Sequence, residues 1–176
     1  MEKLSEVIYY IIKLYPQKLD RKNLSKLLYF SDGVFFQHHG KLLTQEPYIH
    51  LEEVPSPLNM NLAIMNLMSS SDLTVEVDFT TLGQKFNRFF LRINKEMPVK
   101  LEREEKRIIN KVLKAFKAGI IDEDRQYPNL YENYIITPIY GEIKFTKERI
   151  NTKIQISKKK SLLNLSGKIF RVLFES

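Results

Sequence analysis

The sequence predicts an α+β domain that is mostly helical, with N-terminal helices, a short antiparallel sheet and a later long helix. Three observations carry this. Apolar residues recur at helical spacing over 4–14, 21–37 and 102–118. The clearest period-two alternation lies in one hairpin, about 74–93. A composition of 43% hydrophobic and 28% charged residues is that of a folded globular chain.

The first helix places Leu4, Val7, Ile8, Ile11 and Ile12 on one stripe and must stop before Pro16, which disfavours helical geometry at Tyr15. Asp20 is placed to cap the second by accepting first-turn backbone N–H groups. Leu24, Leu27, Leu28, Ser31, Val34 and Phe35 then form its stripe, and Gly40 supplies a left-handed stop. Its other face carries Lys26, Tyr29, Phe30 and Gly33, so this helix is either covered on two sides or meets a partner. Tyr48 to Leu51 reads as a short strand, and Ser56-Pro57 as a helix start with Ser as cap and Pro in the first turn. That helix would run over about 57–68, with Leu58, Leu62, Met65 and Met68 as its buried stripe.

In the hairpin, Val75, Val77 and Phe79 alternate with polar residues, Phe89, Leu91 and Ile93 alternate with Arg88, Phe90 and Arg92, and antiparallel pairing puts Glu76 and Asp78 on the face of Arg88 and Arg92. The long helix over 102–118 has Glu102, Glu104 and Glu105 at its start and Lys114 and Lys117 at its end, matching the helix dipole, and Gly119 is its stop. Beyond it, Tyr127, Tyr131, Tyr134 and Tyr140 punctuate a stretch interrupted by proline. Ile143 to Thr146 and Lys153 to Ile156 suit short strands, and Leu162 to Phe174 suits a terminal helix capped by Ser161.

The net charge of +7 is concentrated at one end: residues 141–176 hold 9 Lys/Arg and 3 Asp/Glu, the preceding 140 residues 19 and 18. This divides the 176 residues into a nearly neutral domain, 1–140, and a basic extension, 141–176, packed on the domain or on a partner. Lys158, Lys159 and Lys160, with Lys168 and Arg171 beyond them, make either a solvated tail or a docking segment for nucleic acid or an acidic protein surface. The longest apolar run near the N-terminus, Val7 to Ile12, is six residues, well short of the roughly 20 that cross a bilayer, so a cytoplasmic protein is expected.

Catalytic patterns are missing from the sequence. It has no Cys, and therefore no disulfide, thiolate metal site or cysteine nucleophile. Its six Gly never form a phosphate loop, and no GxSxG elbow occurs. His38 and His39 are neighbours that diverge on a helix, and His50 stands alone, so no metal or other cofactor is expected. Asp122, Glu123 and Asp124 are contiguous and diverge, which suits a polar turn better than an acid–base pair. A binding protein, not an enzyme, is the expectation. Tyr29, Asp32, Tyr48, Tyr127 and Tyr131 are its candidate partner contacts, tyrosine being enriched at interface centres. Asp32 has a second reading, in which it hydrogen-bonds the backbone of 40–44 and holds that segment.

One ordered set of residues resembles a family. Lys26-Leu27-Leu28-Tyr29-Phe30-Ser31-Asp32, then Gly40-Lys41-Leu42-Leu43-Thr44, Tyr48 and Ser56-Pro57-Leu58 are similar to the SocA-like antitoxins of bacteria and phages, the Panacea domain. Ser56-Pro57 stands where the family shows Gly-Pro, and the C-terminal third departs from the family, with no Trp in the chain and no His after His50. The resemblance covers about residues 20–60, with a compatible order of elements to about 118. It implies a small helical domain that neutralises a toxin, encoded by an adjacent gene, by direct contact. Some relatives also act as adaptors that pass the toxin to a protease. The alternative, from charge alone, is a regulator that binds nucleic acid, DNA among the candidates, through the basic C-terminal segment.

Overall fold

The computed structural model describes residues 2–15, 19–70, 73–78, 88–93, 96, 98–119 and 128–146, without the side chains of 75–78, 88–92, 128, 129 and 131. The order of elements is α1 (Lys3–Leu14), β1 (Leu19–Asp20), α2 (Arg21–His39), β2 (Tyr48–His50), β3 (Pro55–Pro57), α3 (Met60–Ser69), β4 (Leu73–Asp78), β5 (Arg88–Ile93), α4 (Arg103–Lys117), α5 (Pro128–Ile136) and β6 (Glu142–Ile143). The fold is mostly helical α+β, as the patterns predict. The strands form two small antiparallel sheets, ordered β1-β5-β4 and β3-β2-β6.

α2 is the central element, against which α1, α4 and both sheets pack. Its first turn is closed by Asp20, whose Oδ1 accepts the Asn23 N–H at 2.7 Å, and its end by Gly40 at φ 68°. Val7, Ile8 and Ile11 of α1 meet Leu24, Leu27 and Leu28 of α2 and Ile109 and Val112 of α4 in one continuous core. Lys3 Nζ, 2.7 Å from Glu105 Oε2, ties α1 to α4, and the same carboxylate oxygen accepts the Glu102 N–H at 2.8 Å at the start of α4. The hairpin pairs β4 with β5 in the register Thr74↔Arg92, Glu76↔Phe90 and Asp78↔Arg88.

Two expectations fail, both around the prolines. Ser56-Pro57 does not begin a helix. Pro55–Pro57 is a strand, with Ser56 opposite Ile49 and Pro57 opposite Tyr48. Two prolines lack the N–H groups an inner strand must donate, which restricts β3 to a sheet edge, and there it lies. α3 therefore starts three residues later, at Met60, and turns its predicted stripe the wrong way out: Met60, Ala63 and Leu67 are buried, while Leu58, Leu62, Met65 and Met68 face outward.

The stretch after α4 holds α5, which the tyrosine-and-proline pattern did not reveal. Leu130 of α5 packs so closely on α2 that a Cβ on Gly33 would lie 2.5 Å from Leu130 Cδ1. A side chain at 33 would have to displace the end of the Leu130 side chain. The face of α2 bearing Tyr29, Phe30 and Gly33 is covered, so this helix is enclosed on two sides. The short strand expected after Tyr140 is β6, which adds Ile143 beside Tyr48. The predicted strand over 153–156 and the terminal helix lie outside the described residues.

Candidate partner-binding surface

The helix motif and the loop that follows it are joined by one carboxylate. Asp32, with no exposed surface, points from α2 into the turn after Gly40. Its Oδ1 accepts the Thr44 N–H at 2.8 Å. Its Oδ2 accepts the Thr44 hydroxyl at 2.5 Å and the Tyr48 hydroxyl at 2.7 Å. Burial disfavours the ionised form and pushes the carboxyl up to about 6, while these donors, with the Leu43 backbone, pull in the opposite direction. At neutral pH the group is an ionised acceptor surrounded by donors, the arrangement in which hydrogen bonds to a carboxylate are short and strong.

Aromatic rings enclose this charge. Tyr29 and Tyr48 meet edge to face with centroids 5.3 Å apart, and Phe145 lies 5.1 Å from Tyr29 and 5.5 Å from Tyr48. Phe36 adds a further ring, 5.8 Å from Phe145. The Tyr29 hydroxyl donates to the Leu130 carbonyl at 2.8 Å, which fixes α5. Burial raises both phenols above their ordinary range, so each remains a neutral donor. Residues just past Tyr140 belong to this assembly: β6 pairs with β2, Phe145 completes the cluster, and Gln37 Nε2 donates to the Thr146 carbonyl at 3.0 Å.

Asp32 thus holds the 40–44 segment, one of its two readings. Tyr29, Asp32 and Tyr48 are brought together, but inside the molecule, at 2%, 0% and 0% exposure. Their polar atoms are engaged within the chain, and any influence on a partner passes through the surface they support. Tyr131 lies on α5 with its side chain outside the described residues. Tyr127, Lys158, Lys159, Lys160, Lys168 and Arg171 lie outside the described residues altogether. His38 and His39 end α2, and no group of metal-ligating side chains occurs among the described residues. No described helix is long and apolar enough to cross a membrane.

The accessible chemistry is apolar and lies elsewhere. On the outer side of α3, Leu62, Met65 and Met68 are 50%, 64% and 41% exposed, and Leu58, just before the helix, is 54% exposed. Leu62, Met65 and Met68 follow one another at spacings of three, which keeps them on one side of α3, and Leu58 lies in the turn just ahead of it. Between them stand Asn61, Asn66 and Ser69, and the sequence of α3, MNLAIMNLMS, contains no charge. A surface helix ordinarily shows polar residues outward, so a ridge of Leu and Met in water calls for a cover. Methionine's flexible thioether suits surfaces that adapt to a partner. A second exposed group, Ile135, Ile136, Ile139 and Tyr140, caps the end of α5. Sequence periodicity missed the ridge because α3 is apolar on both sides, and spacing alone does not say which stripe turns inward. The absence of charge along all ten residues of α3 was the available signal.

The family model for "Antitoxin SocA-like, Panacea domain" matches residues 24–119, more than half of the chain. The chain belongs to this family. The match takes in Asp32, Thr44 and Tyr48 and all of α3, and stops before α5 and the basic extension. The Panacea stretch thus contains both the buried carboxylate and the exposed ridge. No curated protein and no solved structure matches the chain.

Proposed function

We propose that this Panacea-domain protein is an antitoxin that masks a toxin-type protein, encoded by an adjacent gene, by covering it with the outer ridge of α3. The observation that carries this reading is the uncharged Leu58–Leu62–Met65–Met68 ridge, exposed in water and lying within the family-matched residues 24–119. Burying such a ridge releases apolar surface from water at roughly 25 cal/mol per Å² and leaves no charge to desolvate. The buried Asp32 cluster contributes indirectly. It ties the 40–44 segment to α2, and next to that segment Glu46 Oε2 accepts from Asn59 Nδ2 at 2.9 Å, just ahead of α3. The domain acts by occupying a surface, without chemistry of its own. Delivery of the bound toxin to a protease is an extension of the same contact.

The test is co-expression. The product of the adjacent gene should arrest growth alone, and this chain should restore growth and co-purify with it. A harmless neighbour, or one that this chain neither binds nor relieves, defeats the reading. A DNA-binding role is tied to residues 147–176, which carry 8 Lys/Arg against 2 Asp/Glu. It requires affinity for duplex DNA that falls steeply with salt and is lost when Lys158, Lys159 and Lys160 become Gln.

A further inference from the structure

We infer that the outer side of α4 is a docking surface for double-stranded DNA, held through its phosphates by a basic sector of that helix. The 15 residues of α4 carry six Lys/Arg against two Glu, in a chain whose first 140 residues are close to neutral, and these charges are sorted by side. Ile108, Ile109, Val112 and Leu113 are buried in the core, and Glu105, also buried, is paired with Lys3. Arg103, Arg107, Asn110, Lys114 and Lys117 are exposed and follow one another at spacings of four, three, four and three. They form one ridge about 21 Å long. Lys106 and Lys111, partly exposed, flank it on opposite sides. At about 100° per residue, all six cations fall within a sector of ~140°, and Glu102 and Glu104 lie outside its edges.

Helix stability does not account for this arrangement. The helix dipole favours Lys114 and Lys117 in the last turn but disfavours Arg103 at the first helical position. Arg103 and Lys114 have no ion pair among the described residues. Arg107 lies 3.3 Å from Glu104 in a pair open to water, which contributes little. Like charge excludes a second copy of this chain as the occupant, and an anionic partner complements the sector. Shape favours DNA among such partners. The major groove of B-form DNA admits an α-helix, so cations on the two sides of the ridge can meet phosphates of both strands while Asn110 faces the groove floor. The deep, narrow groove of duplex RNA does not admit a helix in this way. The ridge of α3 takes no part, so the inference stands whether or not that ridge binds a toxin. It is also independent of the basic C-terminal segment.

The test titrates the full chain against a mixed-sequence DNA duplex of about 20 base pairs, between about 50 and 200 mM salt. Each cation that neutralises a phosphate adds about 0.9 to the slope of log affinity against log salt. Arg103→Gln/Lys114→Gln should therefore lower that slope by about 2 and weaken binding at least about tenfold at about 0.1 M salt. Lys22→Gln/Lys144→Gln removes the same charge from surface ion pairs outside α4 and should lower the slope by less than about 0.5. The loss caused by the α4 substitutions should persist when Lys158, Lys159 and Lys160 are also Gln, which separates this surface from the C-terminal segment. Absence of binding to the duplex overturns the inference. So does an unchanged slope in the α4 variant, an equal loss in the Lys22/Lys144 variant, or the same loss measured on duplex RNA or on polyglutamate. Positions 103 and 114 are exposed, and matching melting curves for the variants check that the fold is intact.

Discussion

The inner face of α2 and the outer face of α3 invert the usual relation between polarity and burial. At α2 the Asp32 carboxylate and Tyr29, with Thr44 and Tyr48 from the segment that follows the helix, are withdrawn from water, each of these hydroxyls and carboxylate oxygens with a partner. On α3 a leucine and two methionines, with Leu58 just ahead of the helix, face the solvent. Buried polar groups that are fully paired set one arrangement of the backbone, because any other leaves donors without acceptors. Exposed apolar groups set no fold and gain free energy only when something covers them. The difference teaches that in this domain the polar motif builds the scaffold and the apolar residues carry recognition.

Substitutions at the two faces should separate stability from binding. The largest loss of stability is expected for Asp32→Ala. It leaves the Thr44 N–H and hydroxyl and the Tyr48 hydroxyl without their acceptor, at about 1–3 kcal/mol for each orphaned donor that water does not reach. Denaturant unfolding should show a loss of about 3–5 kcal/mol, enough to remove much of the stability of an ordinary domain. A loss below about 1 kcal/mol would mean that the cluster is not a scaffold.

The next effect is in pH. Asp32 holds its proton to about 6 in the folded chain, against 3.8 when free, so the folded state binds more protons between those values. Stability must then fall as pH rises from about 4 to 6 and level off above, by on the order of 2–3 kcal/mol from this group. The difference in stability between the unaltered chain and Asp32→Asn, followed over that range, isolates the slope. A slope of opposite sign would show that the donors outweigh burial.

A smaller effect is expected for Tyr48→Phe. The ring stays in its cluster and only one donor to Asp32 is lost, so unfolding should change by about 1–2 kcal/mol.

Much of this scaffold was legible in the residues. Asp20 and Gly40 bracket α2 because capping and left-handed geometry are local chemistry, and α4 follows from its stripe and its end charges. The link from Asp32 to the 40–44 segment was one of two readings, since a carboxylate near a turn satisfies local N–H groups. What escaped depends on tertiary choice. Pro55 and Pro57 suit both a helix start and an edge strand, and pairing of Ser56 with Ile49 decided for the strand. α3 carries two apolar stripes, and packing against α1 and β4 selected Met60, Ala63 and Leu67. α5 is nine residues long and begins at a proline, so the buried side chains described on it, Leu130 and Tyr134, left a short signal. Tyr29 and Tyr48 were candidates for an interface because sequence does not distinguish a buried aromatic cluster from an exposed one.

The most direct measurement is calorimetric titration of the adjacent gene's product with Leu62→Lys/Met65→Lys, alongside the melting curve of that variant. Both positions are at least half exposed, so stability should stay within about 0.5 kcal/mol of the unaltered chain. Affinity should fall by at least about 100-fold as two ammonium groups enter an apolar contact. Unchanged affinity in a variant that melts normally would contradict the assignment of recognition to the ridge of α3.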